Sequence, residues 1–254
     1  MKPNFTDNAR SFLERIISGG EPPLARSDPE FIERFANFAF DEVINEPQAR
    51  LDDRTRCISL LAVLLGCQGI DEYRVMLPAC LRLGLTPVEA REIVYQAVDY
   101  LGIGRVFPFL KATNEAFLEA GVELPLPGQA TTTMADRLEK GAVAQQAIFG
   151  ERVAGYAESG PEESRHINRW LVDNCFGDYY TRTGLTLAER ELITFCFLYA
   201  QGGCEPQLKA HIDGNFRQGN DKQLLIRVIS NNIPFIGYPR TLNALRCLNE
   251  VAQG

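Results

Sequence analysis

Several absences narrow this 254-residue chain before any motif is considered. It has only two histidines, His166 and His211, too few for a histidine-rich metal site. Its seven cysteines are an odd number, lie mostly in apolar stretches (Cys57, Cys196, Cys247), and never form Cys-x-x-Cys. Reduced thiols in a cytoplasm are therefore expected, with no disulfide framework and no zinc ribbon. There is no basic surplus: 26 Lys and Arg face 33 Asp and Glu, a net charge of −7, so no nucleic-acid partner is expected. The longest apolar run, "CISLLAVLLGC" from Cys57 to Cys67, falls far short of the roughly 20 residues of a membrane span. The opening "MKPNFTDNARSF" lacks the apolar region of a secretory signal. No metal and no cofactor is expected.

What is present reads almost everywhere as helix. "DRTRCISLLAVLLG" and "LAERELITFCFLYA" start with charged residues and continue as apolar runs too long for ordinary strands. In "TPVEAREIVYQAVDYLG" the sequence predicts Thr86 as N-cap, Pro87 as first helical residue and Glu89 as capping-box partner. Ile93, Val94, Ala97, Val98 and Leu101 then form one apolar stripe. No sustained period-two alternation bounded by hairpin turns occurs, so the fold class is all-α.

The chain also repeats itself. Leu51 and Arg56 return 134 positions later as Leu185 and Arg190. Arg82, Gly84, Gly102, Arg105, Leu110, Asn114 and Glu115 return 135 positions later as Arg217, Gly219, Gly237, Arg240, Leu245, Asn249 and Glu250. One inserted residue near Gly202 and Gly203 reconciles the two offsets, and a phase held this long marks a tandem duplication. The expected organisation is a helical arm over 1–27, a first copy over 28–125, a linker with a helix over 126–159, and a second copy over 160–254.

"LTLAERELITFCFLYAQGG", "QLKAHIDGNFRQG" and "FIGYPRTLNAL", in this order and spacing, resemble the carboxymuconolactone decarboxylase family, which includes alkylhydroperoxidase D. The resemblance implies paired antiparallel helices that assemble into homo-oligomers (dimer, trimer or hexamer), two fused copies acting as an internal pseudo-dimer about a pseudo-twofold axis. It also places the chemistry. His211 stands at the family's histidine position and Glu191 at its glutamate position, whereas their counterparts in copy one are Met76 and Cys57. The thiol members carry Cys-x-x-Cys before the histidine; here Cys204 holds the first place and Gln207 the second.

The residues themselves are consistent with such a site. Positions 204, 207 and 211 share one helix face. Pro206 restricts the helix start to about Cys204–Pro206, near free backbone N–H groups that favour a thiolate at Cys204. A carboxylate at Glu191 would orient His211 for proton transfer. Three functions follow. The first is acid–base catalysis by His211 and Glu191 on a small carboxylated lactone or enol-like substrate, with Arg190 or Arg240 holding its carboxylate and Gln207 and Tyr238 lining the pocket. The second is a thiol peroxidase of the alkylhydroperoxidase kind using Cys204, which lacks a resolving cysteine three residues away. The third is a non-catalytic oligomeric binding module. Arg190 recurs as Arg56 and Arg240 as Arg105 in a copy without the catalytic pair, which favours structural roles for both. Copy two should enclose a polar cavity, and the equivalent space around Cys57 and Met76 should be filled.

Overall fold

The computed structural model describes residues 2–253, and among these there is no β-strand. The N-terminal arm holds α1 (Asp7–Ile16), and copy one begins with α2 (Pro29–Asn37), which runs on through a π-helical segment, Phe38–Glu42. It continues with α3 (Asp53–Gly66), α4 (Ile70–Arg82), α5 (Pro87–Leu101) and α6 (Ile103–Glu119). The linker holds α7 (Arg137–Phe149), and after it comes α8 (Arg165–Trp170), again prolonged by a π-helical segment, Leu171–Tyr180. Copy two ends with α9 (Leu187–Gln201), α10 (Glu205–Arg217), α11 (Lys222–Asn231) and α12 (Tyr238–Gln253). Each helix from α3 to α6 thus returns as α9 to α12 in the predicted register. So do the π-helical segments, which hydrophobic periodicity does not reveal.

The helix ends follow local chemistry. Thr86 caps α5 in a full capping box with Glu89, as the sequence predicts, and Thr186 does the same for α9 with Glu189. Asp52 and Asp221 accept from the third-residue N–H at the starts of α3 and α11. Pro206 falls in the first turn of α10, with Cys204 as N-cap.

The core centres on α3 and α9. Every residue from Cys57 to Gly66 and from Arg190 to Ala200 is buried, as expected for helices apolar on all sides. They cross where a Cβ on Gly66 would stand 2.8 Å from the Ala200 Cβ and from the Phe197 carbonyl oxygen. Gly66 and Ala200 are equivalent positions of the duplication. Equivalent residues touch only near the axis that relates them, so the pseudo-twofold passes through this crossing. Around it the copies interlock: α5 packs on α9, and α11 packs on α3.

Candidate active site

α9 and α10 bring the predicted pair together. The His211 Nδ1 lies 2.9 Å from Glu191 Oε2, with His211 about 8% exposed and Glu191 fully buried. The approach depends on Gly214, one turn after His211: any Cβ there would collide with Glu191 Oε2. Asn215 ties the two helices by donating from its side-chain nitrogen to the Glu191 carbonyl at 2.9 Å and the His211 carbonyl at 2.7 Å. With Nδ1 on the carboxylate, the imidazole is held in one orientation and Nε2 is the nitrogen left for a reacting group.

His211 faces a cavity of about 510 Å³ whose wall also includes Cys204, Gln207 and Gln201. Cys204, Gln207 and His211 thus share one wall, while Glu191, expected to line the same space, stands behind His211, out of the cavity. The opposite walls come from elements that reading did not connect to the site. The π-helical segment after α8 contributes Leu171, Cys175 and Phe176, and α7 contributes Gln145 and Phe149. Copy one itself contributes Asp99 and Tyr100 from the end of α5. The rings of Tyr100 and Phe149 stand edge-on to the imidazole at 5.6 and 5.3 Å, clamping it from two sides.

Asp99 is the second titratable feature of the cavity. Burial pushes its carboxyl up to about 8, and its Oδ2 is buried without a hydrogen-bond partner. Near neutral pH it is therefore a carboxylic acid, able to donate a proton, a few side chains from a histidine able to accept one. Tyr100 opens a hydrogen-bonded chain into the protein. Its hydroxyl lies 2.6 Å from that of Tyr180, which lies 2.6 Å from Thr194 Oγ1, to which Gln96 donates at 2.9 Å. Burial raises both phenols well above their ordinary range, so they remain neutral donors.

Cys204 does not behave as its helix position suggests. Its Sγ points back to the Leu198 carbonyl at 3.4 Å, and partial burial pushes the thiol up, outweighing the N-terminal dipole. Cys175, across the cavity and 4.0 Å from the Tyr100 hydroxyl, is raised further by burial.

The two arginines considered for a substrate carboxylate both lie off the cavity. Arg190 is fully buried and engaged through both terminal nitrogens: it donates to Gln96 Oε1 at 3.0 Å, Glu92 Oε2 at 3.1 Å, and the Arg182 and Thr183 carbonyls. It clamps α9 to α5 and is not open to a substrate. Its counterpart Arg56 repeats the contact, donating to Asn231 Oδ1 on α11 at 3.2 Å, so this is a duplicated structural device. Arg240 sits over Gly202, close enough that a Cβ there would strike its guanidinium, and Tyr238 is about 60% exposed; neither lines the cavity. His166 packs at the surface against Trp170, 4.8 Å between rings. The cation that does line the cavity is Arg152, which the sequence reading missed. Arg152 lies over the Phe149 ring and pairs with Asp213 at 2.7 Å.

Comparison with known proteins agrees with this architecture. A curated relative, the 4-carboxymuconolactone decarboxylase of Acinetobacter baylyi, is 28% identical over 109 residues, 43% of this chain and 80% of that protein. A crystal structure from Burkholderia xenovorans, assigned by inference as a gamma-carboxymuconolactone decarboxylase subunit, superposes with a TM-score of 0.54 at 22% identity, covering 96% of both chains, and shows the same fold. The sequence profile of the carboxymuconolactone decarboxylase family matches twice, over residues 29–115 and 166–250, and the chain is a tandem two-copy member of that family.

Proposed function

We propose that copy two performs acid–base chemistry on a small carboxylated lactone or enol-like substrate. The buried His211–Glu191 contact, 2.9 Å long and opening on a 510 Å³ cavity, carries this reading. The name of the Acinetobacter baylyi relative supports the substrate class. The imidazole takes a proton at Nε2, and the Glu191 carboxylate stabilises the imidazolium that results. Where the substrate loses CO2, the electrons of the broken C–C bond stay on carbon, conjugated with the lactone carbonyl. A proton from Asp99 then quenches that carbanion, and the proton that His211 took from the substrate's carboxylic acid returns through solvent to Asp99, restoring both groups. Arg152 is the group suited to the substrate's carboxylate, because Asp213 keeps a second arginine, Arg217, at 3.0 Å if Arg152 turns away. The exposed faces of α6 and α12 repeat apolar residues, Ile103 with Tyr238 and Phe107 with Leu242, and offer the surface through which the expected homo-oligomer would form.

The thiol alternative draws less from the site, since burial disfavours the Cys204 thiolate. Peptide-resolved alkylation against pH should give Cys204 an apparent pKa above the ~8.5 of a free thiol. Cys204→Ser should keep turnover within about threefold of wild type, since a general acid–base mechanism needs no sulfur. A pKa well below that of a free thiol, together with lost activity in Cys204→Ser, would transfer the chemistry to the thiol.

Asp99 makes a separate pH prediction. Its native carboxyl titrates at about 8, against ~3.9 in an unfolded chain. Between those values the native state holds a proton that the unfolded state has released. Stability should therefore fall as pH rises through that window and level off above it. The loss should be on the order of 4–6 kcal/mol, and Asp99→Asn should remove it in urea titrations run across the pH range. Turnover should fall along the same limb as Asp99 ionises. A pH profile unchanged by Asp99→Asn would exclude it as the acid.

A further inference from the structure

Copy one retains the cavity that sequence alone would have filled. At the pseudo-symmetric position lies a space of about 260 Å³. Its lining corresponds residue by residue to that of the active cavity: Met76 for His211, Gly69 for Cys204, Glu72 for Gln207, Val75 for Ala210. The exchange across the axis is repeated too, with Pro234 and Phe235 of copy two standing where Asp99 and Tyr100 stand in the other cavity. Cys57, the counterpart of Glu191, is buried behind the wall. The duplication has thus lost its proton-transfer groups here without closing the space. Close-packed interiors ordinarily collapse around such a loss, because an unfilled apolar void is destabilising.

The wall chemistry specifies what fits. Phe35 sits edge-on to Phe40 at 6.0 Å and to Phe235 at 5.8 Å, and stacks with Phe31 at 6.3 Å, forming an aromatic box. Dry cavities of about 150 Å³ with comparable linings hold a benzene ring, so this one has room for a substituted ring. Among the lining residues Glu72 is the sole carboxylate and no cation accompanies it. Burial raises the Glu72 carboxyl, and no neighbouring charge or hydrogen bond offsets that burial. A group that accepts strongly and has no donor sits at the edge of an aromatic box.

We propose that copy one is a second ligand site, for a small aromatic or alicyclic molecule whose one polar group donates a hydrogen bond to Glu72, a hydroxyl or an ammonium. Carboxylates are excluded by the unpaired Glu72, so the two cavities select opposite classes of ligand. This site stands independently of the chemistry proposed for copy two.

Fluorine NMR on the full chain, with 4-fluorophenol, 4-fluorobenzylamine and 4-fluorobenzoate as probes, tests it. The phenol or the amine should bind at least tenfold more tightly than the benzoate, and which of the two binds identifies the donor. Binding should survive Ala210→Trp, which fills the copy-two cavity, and weaken at least tenfold in Val75→Trp, the equivalent change in copy one. Glu72→Leu, which keeps the apolar box, should erase the preference for the donor. Should either tryptophan variant fail to melt cooperatively, ring-to-protein NOEs in the wild type decide: contacts to the Met76 methyl and Phe35 support the site. No binding by phenol or amine, NOEs confined to copy two, binding abolished by Ala210→Trp but not by Val75→Trp, or benzoate binding as tightly as phenol would overturn it.

Discussion

Replacing His211 with alanine is expected to lower turnover of a carboxylated lactone by about 10²–10³-fold, the scale of a positioned general acid or base. Two features of the site put the expected loss at this scale. The imidazole is fixed by Glu191 at 2.9 Å and by two edge-on rings, so in the folded enzyme the wild type incurs little orientational cost at each turnover. The substitution also strips Glu191 of its one side-chain partner, because Oε1 already lacks a hydrogen bond. His211→Ala should therefore lose about 1–3 kcal/mol of stability as well, so kcat must be compared at a temperature where both proteins are folded. Glu191→Gln preserves a side chain of the same shape without its charge and should reduce kcat by a smaller factor, about tenfold, with KM little changed. Added imidazole should restore part of the activity of His211→Ala, since the cavity left behind opens on the substrate. Full activity in a folded His211→Ala protein would remove the acid–base reading.

The largest effect on stability is expected from Arg190→Leu, a loss of about 3–5 kcal/mol, typical of breaking a buried ion pair from one side. Arg190 and Glu92 are essentially inaccessible, and burial pulls the guanidinium below its ordinary range, so water does not replace the lost contacts. The deletion leaves Gln96 Oε1 and the Arg182 and Thr183 carbonyls short of a donor, and Glu92 with Arg182 as its remaining partner. The double variant Arg190→Leu with Glu92→Leu should recover part of the loss, since the remaining charge is then removed as well. Arg56→Leu, on the partly exposed counterpart, should cost distinctly less. Urea denaturation measures all three; a loss below about 1 kcal/mol for Arg190→Leu would contradict the clamp.

The expectation that Arg190 holds a substrate carboxylate shows how far sequence carries. That Arg190 and Arg56 recur in copies unequal at the catalytic positions already favoured a structural role, and the buried clamp gives the reason. That Arg152 is the cation of the cavity was not legible. It follows α7 in a single 3-10 turn, Gly150–Val153, matches nothing in the repeat, and reaches the site through the packing of α7 on the π-helical segment. Gly141 and Gly177 permit that packing, since a Cβ on either would collide with the facing backbone.

The sequence by itself determined the all-α class, the duplication and its register, and the copy that keeps a histidine and a glutamate in place. Those properties are written in local order: capping residues, helical periodicity and a phase of 134 to 135 positions. Tertiary structure decided which residues face one another across the axis. Tyr100 and Asp99 lie in copy one but wall the cavity of copy two, and Phe235 and Pro234 do the reverse. Because α3 and α9 cross at Gly66 and Ala200, each copy's α5-type helix end is carried to the other copy's site. The protonation of Asp99, the restraint of the Cys204 thiol and the open apolar space in copy one follow from that packing. Each depends on how much water a side chain loses when helices distant in sequence close over it, and desolvation is a property of the assembled layers.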